Sequence, residues 1–190
     1  MIKYLLFLVL VTTGCGLENK SNLPIKGTLP DISLTDFNEN EFMFSDLKGK
    51  VVVLSYIYTN CPDICHITSG KLNTFKNSLD HKVKNKVFFV SISFDPRRDS
   101  TQALREHARM MNLNLENWLF VTGSSENIVE VLHVAGIDPW IQKDPNDSKG
   151  YTFSHRDRIS LADKNGRIRM HYKGTNFDSE RLEDDIRSLL

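Results

Sequence analysis

The sequence predicts an α/β domain: a mixed central sheet with helices on both faces. Three observations carry that expectation. Residues 51–58 (VVVLSYIY) and 86–94 (KVFFVSISF) are β-branched and aromatic runs without polar alternation, as in central strands covered on both sides. The segments that follow each of them read as helices, so strands and helices alternate. Towards the C-terminus, Asp163-Lys164-Asn165-Gly166 separates two short apolar stretches, and its Asn-Gly pair marks a hairpin turn.

In chain order, residues 31–34 and 41–44 are expected as short strands around a polar Asn38-Glu39-Asn40 turn, an N-terminal β-hairpin extension of the sheet. The first buried strand follows. A helix over residues 63–79 would then bury Ile64, Ile67, Leu72, Phe75 and Leu79. After the second buried strand, Asp99 or Ser100 caps a helix ending near Met111, with Leu104, Ala108 and Met111 facing inward. Residues 118–121 form a strand, 125–135 a helix, and 138–149 a proline-containing loop. Strands 158–162 and 167–172 flank the Asn-Gly turn, and a helix over 178–190 closes the chain. The predicted order is β-β-β-α-β-α-β-α-β-β-α.

Composition narrows the function. A chain of 190 residues suits one domain with a tail. Hydrophobic residues at 40% supply a core, and charged residues at 25% fit neither a disordered nor a wholly membrane-embedded chain. Twenty-four basic residues balance 24 acidic ones, which argues against a nucleic-acid partner held through bulk positive charge. Three cysteines are too few for a disulfide-stapled scaffold, and an odd number leaves one over.

The N-terminus accounts for the odd thiol. Lys3 precedes an unbroken apolar run over residues 4–11, then Thr12, Thr13, Gly14 and Cys15. A bilayer span needs about 20 apolar residues, so this run reads as a secretory signal. The Gly14-Cys15 junction resembles a bacterial lipobox, with Thr12 where Leu is usual. Residues 1–14 are therefore expected to be a signal peptide, with Cys15 lipidated after cleavage. Residues 15–28 are mixed polar, with Pro24, Gly16 and Gly27, and read as a flexible tether. The folded domain is expected over residues 29–190. Together these place the domain on the outer side of a bacterial membrane, in the cell envelope.

The chemistry sits where the first buried strand ends, at Tyr58-Thr59-Asn60-Cys61-Pro62-Asp63-Ile64-Cys65-His66. Ligand sites of open α/β sheets lie beyond the carboxyl ends of the strands. Cys61 and Cys65 are four apart, a spacing that shares one helix face, and Pro62 suits a first helical turn. A helix N-terminus favours thiolate over thiol. Two such sulfurs suit Cu(I) or zinc, or can close into a disulfide.

Four ordered motifs resemble the SCO/SenC family of copper-handling proteins, over residues 29–190. Residues 58–65 (YTNCPDIC) look like its YTxCPDxC segment, and residues 93–100 (SFDPRRDS) like its SxDPxRDT segment. Residues 118–123 resemble its WxxLTG region, and Phe153-Ser154-His155 with residues 159–166 resembles the region of its ligand histidine and hairpin. The resemblance implies a thioredoxin-like fold. It implies a membrane-tethered metallochaperone that delivers copper to the binuclear copper site of cytochrome c oxidase, so that the subunit carrying that site is the expected partner. The implied ligands are Cys61, Cys65 and His155. Two thiolates and an imidazole suit trigonal Cu(I), whereas Cu(II) would ask for a fourth donor. Asp95 could tune the thiols or orient His155 from behind the ligands. Residues 144–150 could form a loop that lets His155 swing onto the metal. His66 departs from the family, which often has Pro there; it reads as a solvent-facing residue or a fourth donor. His81, His107, His133 and His171 read as structural.

Two enzymatic readings compete. The thiols could cycle as a thiol–disulfide oxidoreductase. Against it, CxxxC is one residue longer than CxxC, and residues 154–160 lack the proline that thioredoxins place beside their active site. A peroxidase of the peroxiredoxin branch would carry Thr three residues before its cysteine, where Tyr58 stands.

Overall fold

In a computed structural model, residues 21–143 and 150–190 are described. Strands β1 (Gly27–Thr28), β2 (Leu34–Asp36), β3 (Glu41–Phe42), β4 (Val51–Ile57), β5 (Val87–Ser93), β6 (Trp118–Thr122), β9 (Ile159–Ala162) and β10 (Arg167–Tyr172) form one sheet, in the order β1-β10-β9-β4-β5-β6-β2-β3. Strands β4, β5 and β6 are parallel, and the outer pairings are antiparallel. The sheet is thus mixed, as expected. Every residue of β4 is buried, and of β5 all but Phe88, so both faces of the sheet centre are covered.

Helices α1 (Ile64–Ser78) and α3 (Thr101–Met110) connect β4 to β5 and β5 to β6. Both crossovers step the same way across the sheet, so their right-handedness puts both helices on one face. A short α2 (His81–Lys84), α4 (Ser125–Val134) and the C-terminal α5 (Ser179–Leu189) complete the α-helices among the described residues. Side-chain caps start α3 and α4: Ser100 Oγ accepts from the Ala103 N–H, and Ser124 Oγ from the Asn127 N–H, both at 3.2 Å. Ser100, not Asp99, therefore caps α3.

The inward stripe of α1 differs from the expected one. It runs through Cys65, Thr68, Ser69, Leu72, Phe75 and Lys76, and Ile67 is 45% exposed. Ile67 falls off the 3.6-residue repeat set by Leu72 and Phe75. The aliphatic stem of Lys76 fills the stripe instead, and its Nζ donates to the Glu116 carbonyl at 2.6 Å. On α3, Leu104 and Ala108 face inward as expected, joined by His107 rather than Met111.

The hairpin extension is present, with its first strand three residues later than expected. Asp36 Oδ1 accepts the N–H groups of Asn38 and Asn40, and Glu39 takes a positive φ of 70°. That carboxylate-centred turn draws residues 34–36 into the ladder. The predicted turn 163–166 forms around Asp163, whose Oδ1 accepts from the N–H groups of Asn165 and Arg167.

Two segments are more ordered than their composition suggested. Residues 21–28, read as tether, lie against the sheet edge: the Lys26 N–H donates to Ile168, and the Arg169 guanidinium donates to the Leu23 and Ser21 carbonyls. Within the expected loop, β7 (Trp140–Lys143) pairs antiparallel with β8 (Tyr151–Ser154) as a separate two-stranded ribbon. Residues 144–149, where a swinging loop was expected, lie outside the described residues, as do residues 1–20 with Cys15.

Candidate metal centre

The end of β4 is held by its neighbours. The Phe94 N–H donates to the Ile57 carbonyl at 3.0 Å, so the segments leaving β4 and β5 start side by side. Asp99, fully buried, accepts from the Thr59 N–H at 3.0 Å, the Thr59 hydroxyl at 2.6 Å and the Ser93 hydroxyl. Burial raises its pKa despite those donors. Asp99 therefore anchors the backbone that leads into Cys61. The sequence suggested a helix cap for it; Ser100 takes that role, and Arg98 pairs with Asp95.

Cys61 and Cys65 are both free and buried, 4% and 2% exposed. The helix begins at Ile64 with Asp63 as its N-cap, so Pro62 lies before the first turn rather than in it. Cys61 thus faces the helix end. The Cys65 N–H points to Cys61 Sγ at 3.4 Å, and this free N–H of the first turn, more than helical stacking, brings the sulfurs together. The hydrogen bond from the Cys65 thiol is the largest influence lowering the Cys61 pKa, to about 4, with the N–H groups of Asp63 and Cys65 adding to it against burial. The Cys65 pKa is pushed up by the same hydrogen bond, by burial and by the charges of Cys61 and Asp99. These opposite shifts favour the thiolate on Cys61 and the thiol on Cys65.

His155 follows β8 and stands over this pair. Its Nδ1 lies 3.0 Å from the Arg156 carbonyl, which makes it the donor and leaves Nε2 with the lone pair. Nε2 is buried with no hydrogen-bond partner. An aromatic wall surrounds the imidazole: Phe94 at 4.6 Å and Tyr58 at 6.3 Å between ring centroids, with Phe153 packed on both at 5.2 and 5.3 Å. This wall lowers the local dielectric and limits water access. Tyr58, the first residue of the thiol motif, is part of it.

Asp95 does not reach the sulfurs. It is 2% exposed, pairs with the Arg98 Nε, and accepts from the Tyr151 hydroxyl at 2.7 Å. Arg98 also donates to the Tyr151 carbonyl at 2.8 Å and lies 3.7 Å over the Tyr151 ring. Asp95 and Arg98 thus grip the start of β8, the strand that carries His155. Tyr151 went unnoticed in the sequence because its partners lie more than fifty residues away.

The donor set fits a soft monovalent ion: one thiolate, one thiol that can lose its proton, and an imidazole with an unpartnered buried nitrogen. Among the described residues no three His, Cys, Asp or Glu groups are already closed into a metal-holding cluster. His66 is exposed on α1 and lies against His107, with centroids 5.3 Å apart.

A family model described as SCO1/SenC matches residues 26–190. The SCO1 protein homolog of Bacillus subtilis (strain 168) is 25% identical over 186 residues, 97% of this chain and 92% of that one. A SCO1/SenC family lipoprotein from Bacillus anthracis str. Ames superposes with a TM-score of 0.76 at 26% identity, covering 90% of this chain and 99% of that one. The copper-bound ScoI of Arabidopsis thaliana gives 0.70 at 25% identity, covering 87% and 98%.

Proposed function

The chain belongs to the SCO1/SenC family, and from that premise we propose that it is a copper metallochaperone that loads the binuclear copper site of cytochrome c oxidase during assembly. Cys61, Cys65 and His155 hold the cargo. The observation that carries the reading is the arrangement at the end of β4: two free, buried cysteines with the Cys65 N–H aimed at Cys61 Sγ, and a buried His155 Nε2 without a hydrogen-bond partner.

Two thiolates and a neutral imidazole bring a Cu(I) site to a net charge of minus one, which the N-terminal N–H groups of α1 partly offset. The lowered pKa of Cys61 favours its thiolate, so the proton that binding displaces is chiefly that of Cys65. Three donors suit trigonal Cu(I) and leave a side from which an acceptor's ligands can attack, whereas four would lock the ion in. Cu(II) would require a further donor. The aromatic wall keeps water from competing for that side. Cys15, lipidated after cleavage of residues 1–14, tethers the domain outside a bacterial membrane, where the copper-site subunit of the oxidase presents its own site. The lipoprotein relative of Bacillus anthracis supports the tether, and the copper-bound relative of Arabidopsis thaliana supports the cargo.

A second reading has one observation in its favour. A low-pKa Cys61 beside a protonated Cys65 is also the arrangement of an attacking thiolate, so the pair could reduce a partner disulfide through a mixed disulfide. Reducing the acceptor's cysteines before metallation would join the two readings. Competition with a chromophoric Cu(I) chelator tests the first: the full-length chain should hold one Cu(I) tightly, and the Cys61→Ser/Cys65→Ser variant should lose that tight binding. Equal binding by the two would overturn the reading, and insulin reduction by wild type alone would favour the second.

A further inference from the structure

Beside the thiol pair lies a second set of nitrogen donors. His107 on α3 is 1% exposed, yet its Nε2 is buried with no hydrogen-bond partner. A buried polar nitrogen left without a partner is uncommon in folded proteins, and this one keeps its donor capacity free for an ion. The neighbouring ring is His66, next to Cys65 on the first turn of α1, with centroids 5.3 Å apart and planes inclined at 45°. The buried ring of Phe120 also packs against His107, at 6.1 Å between centroids. His66 is open to solvent and lines a surface pocket of about 450 Å³ with Lys71, Phe75 and Phe177. One imidazole is therefore anchored in an apolar wall, and the other meets incoming ions.

We propose that His66 and His107 form a second copper position next to the thiols, binding Cu(I) between two imidazoles. The donor count selects the ion. No third His, Cys, Asp or Glu joins the pair among the described residues. Zinc asks for four ligands and Cu(II) for a tetragonal set. A closed-shell Cu(I) ion accepts two nitrogens in a near-linear arrangement, and the apolar surroundings favour its low charge. The position is one step from Cys65 along the chain, so a copper ion held there exchanges ligands with the thiol site without a change of oxidation state. The inference rests on the reading of this chain as a copper carrier, and it gives His66 a role other than that of a fourth ligand to the thiol-bound ion.

The test uses the full-length chain under reducing conditions, with inorganic Cu(I) supplied from a chromophoric chelator. The Cys61→Ser/Cys65→Ser/His155→Ala variant should keep one Cu(I), weaker than that of wild type, with X-ray absorption showing nitrogen donors only. Adding His66→Ala should weaken that binding by roughly tenfold or more. His66 is exposed, so this substitution leaves the fold intact, as far-ultraviolet circular dichroism will verify. His107→Gln should do the same where it folds. A triple variant that binds no copper, or one whose affinity is unchanged by His66→Ala, overturns the proposal. Wild type against the triple variant tests the thiol site, and the triple variant against its His66→Ala derivative tests the histidine pair, so either reading can fail alone.

Discussion

Arg98→Ala should weaken copper binding without touching a ligand. Arg98 pairs with Asp95, donates to the Tyr151 carbonyl and covers the Tyr151 ring. Removing it leaves Asp95, 2% exposed, with the Tyr151 hydroxyl as its main remaining partner. Breaking a buried ion pair from one side costs about 3–5 kcal/mol, and the 27% exposure of the Arg98 side chain puts this case near 3. The local consequence is a loosened β8, hence an imidazole no longer fixed over Cys61. Loss of support behind a metal ligand lowers affinity by about 10–100-fold. Binding should survive, because both sulfurs remain. Arg98→Lys should recover little, since a lysine cannot make the forked donation or stack flat on Tyr151. Chelator competition measures the affinity, and urea unfolding measures the stability. The reasoning is decided by a double-mutant cycle: if Arg98 acts through His155, then in the His155→Ala background Arg98→Ala should cause no further loss of affinity. A full and additive loss in that background would refute the clamp, as would wild-type affinity in a folded Arg98→Ala protein.

Two further outcomes concern protons. With Cys61 titrating near 4 and Cys65 held protonated, Cu(I) binding should release one proton, so affinity corrected for the chelator should rise about tenfold per pH unit through neutral pH; a hundredfold rise would mean that both thiols start protonated. His171 is held near 4 by burial and by the charges of Arg158 and Lys26. Its folded pKa lies below the ordinary 6.5 or so, so the unfolded chain binds more protons between those values. Stability should be unaffected by this group above about pH 6.5 and fall as pH drops towards 4, by about 1 kcal/mol after allowing for its partial exposure. His171→Gln should reduce that acid sensitivity in urea titrations, and an identical pH slope in the variant would contradict the assignment.

The central strands were legible because their character is local: seven consecutive buried residues of β4 need no knowledge of the rest of the chain. The thiol pair was legible for the same reason, as two cysteines four apart at a strand end. What sequence could not supply were contacts made across the fold. Asp99 reads locally as a helix cap, and only the parallel pairing of β4 with β5 brings Thr59 to it. The ribbon of β7 and β8 hid in a polar, proline-containing stretch, because a two-stranded ribbon needs no continuous apolar run. Ile67 looked like core and Lys76 like surface; helix phase and a carbonyl partner reversed both. His155 stood out only by its likeness to a family motif, since ninety residues separate it from the thiols. Its orphaned Nε2 is a property of packing.

The central claim is that Cys61, Cys65 and His155 share one copper ion. X-ray absorption on the full-length chain loaded with a single equivalent of Cu(I) tests it most directly, because sulfur and nitrogen neighbours are counted together. The account predicts two sulfurs and one nitrogen, with the nitrogen lost in His155→Ala and both sulfurs lost in Cys61→Ser/Cys65→Ser. A site with two sulfurs alone, or a nitrogen that persists after His155→Ala, would contradict it.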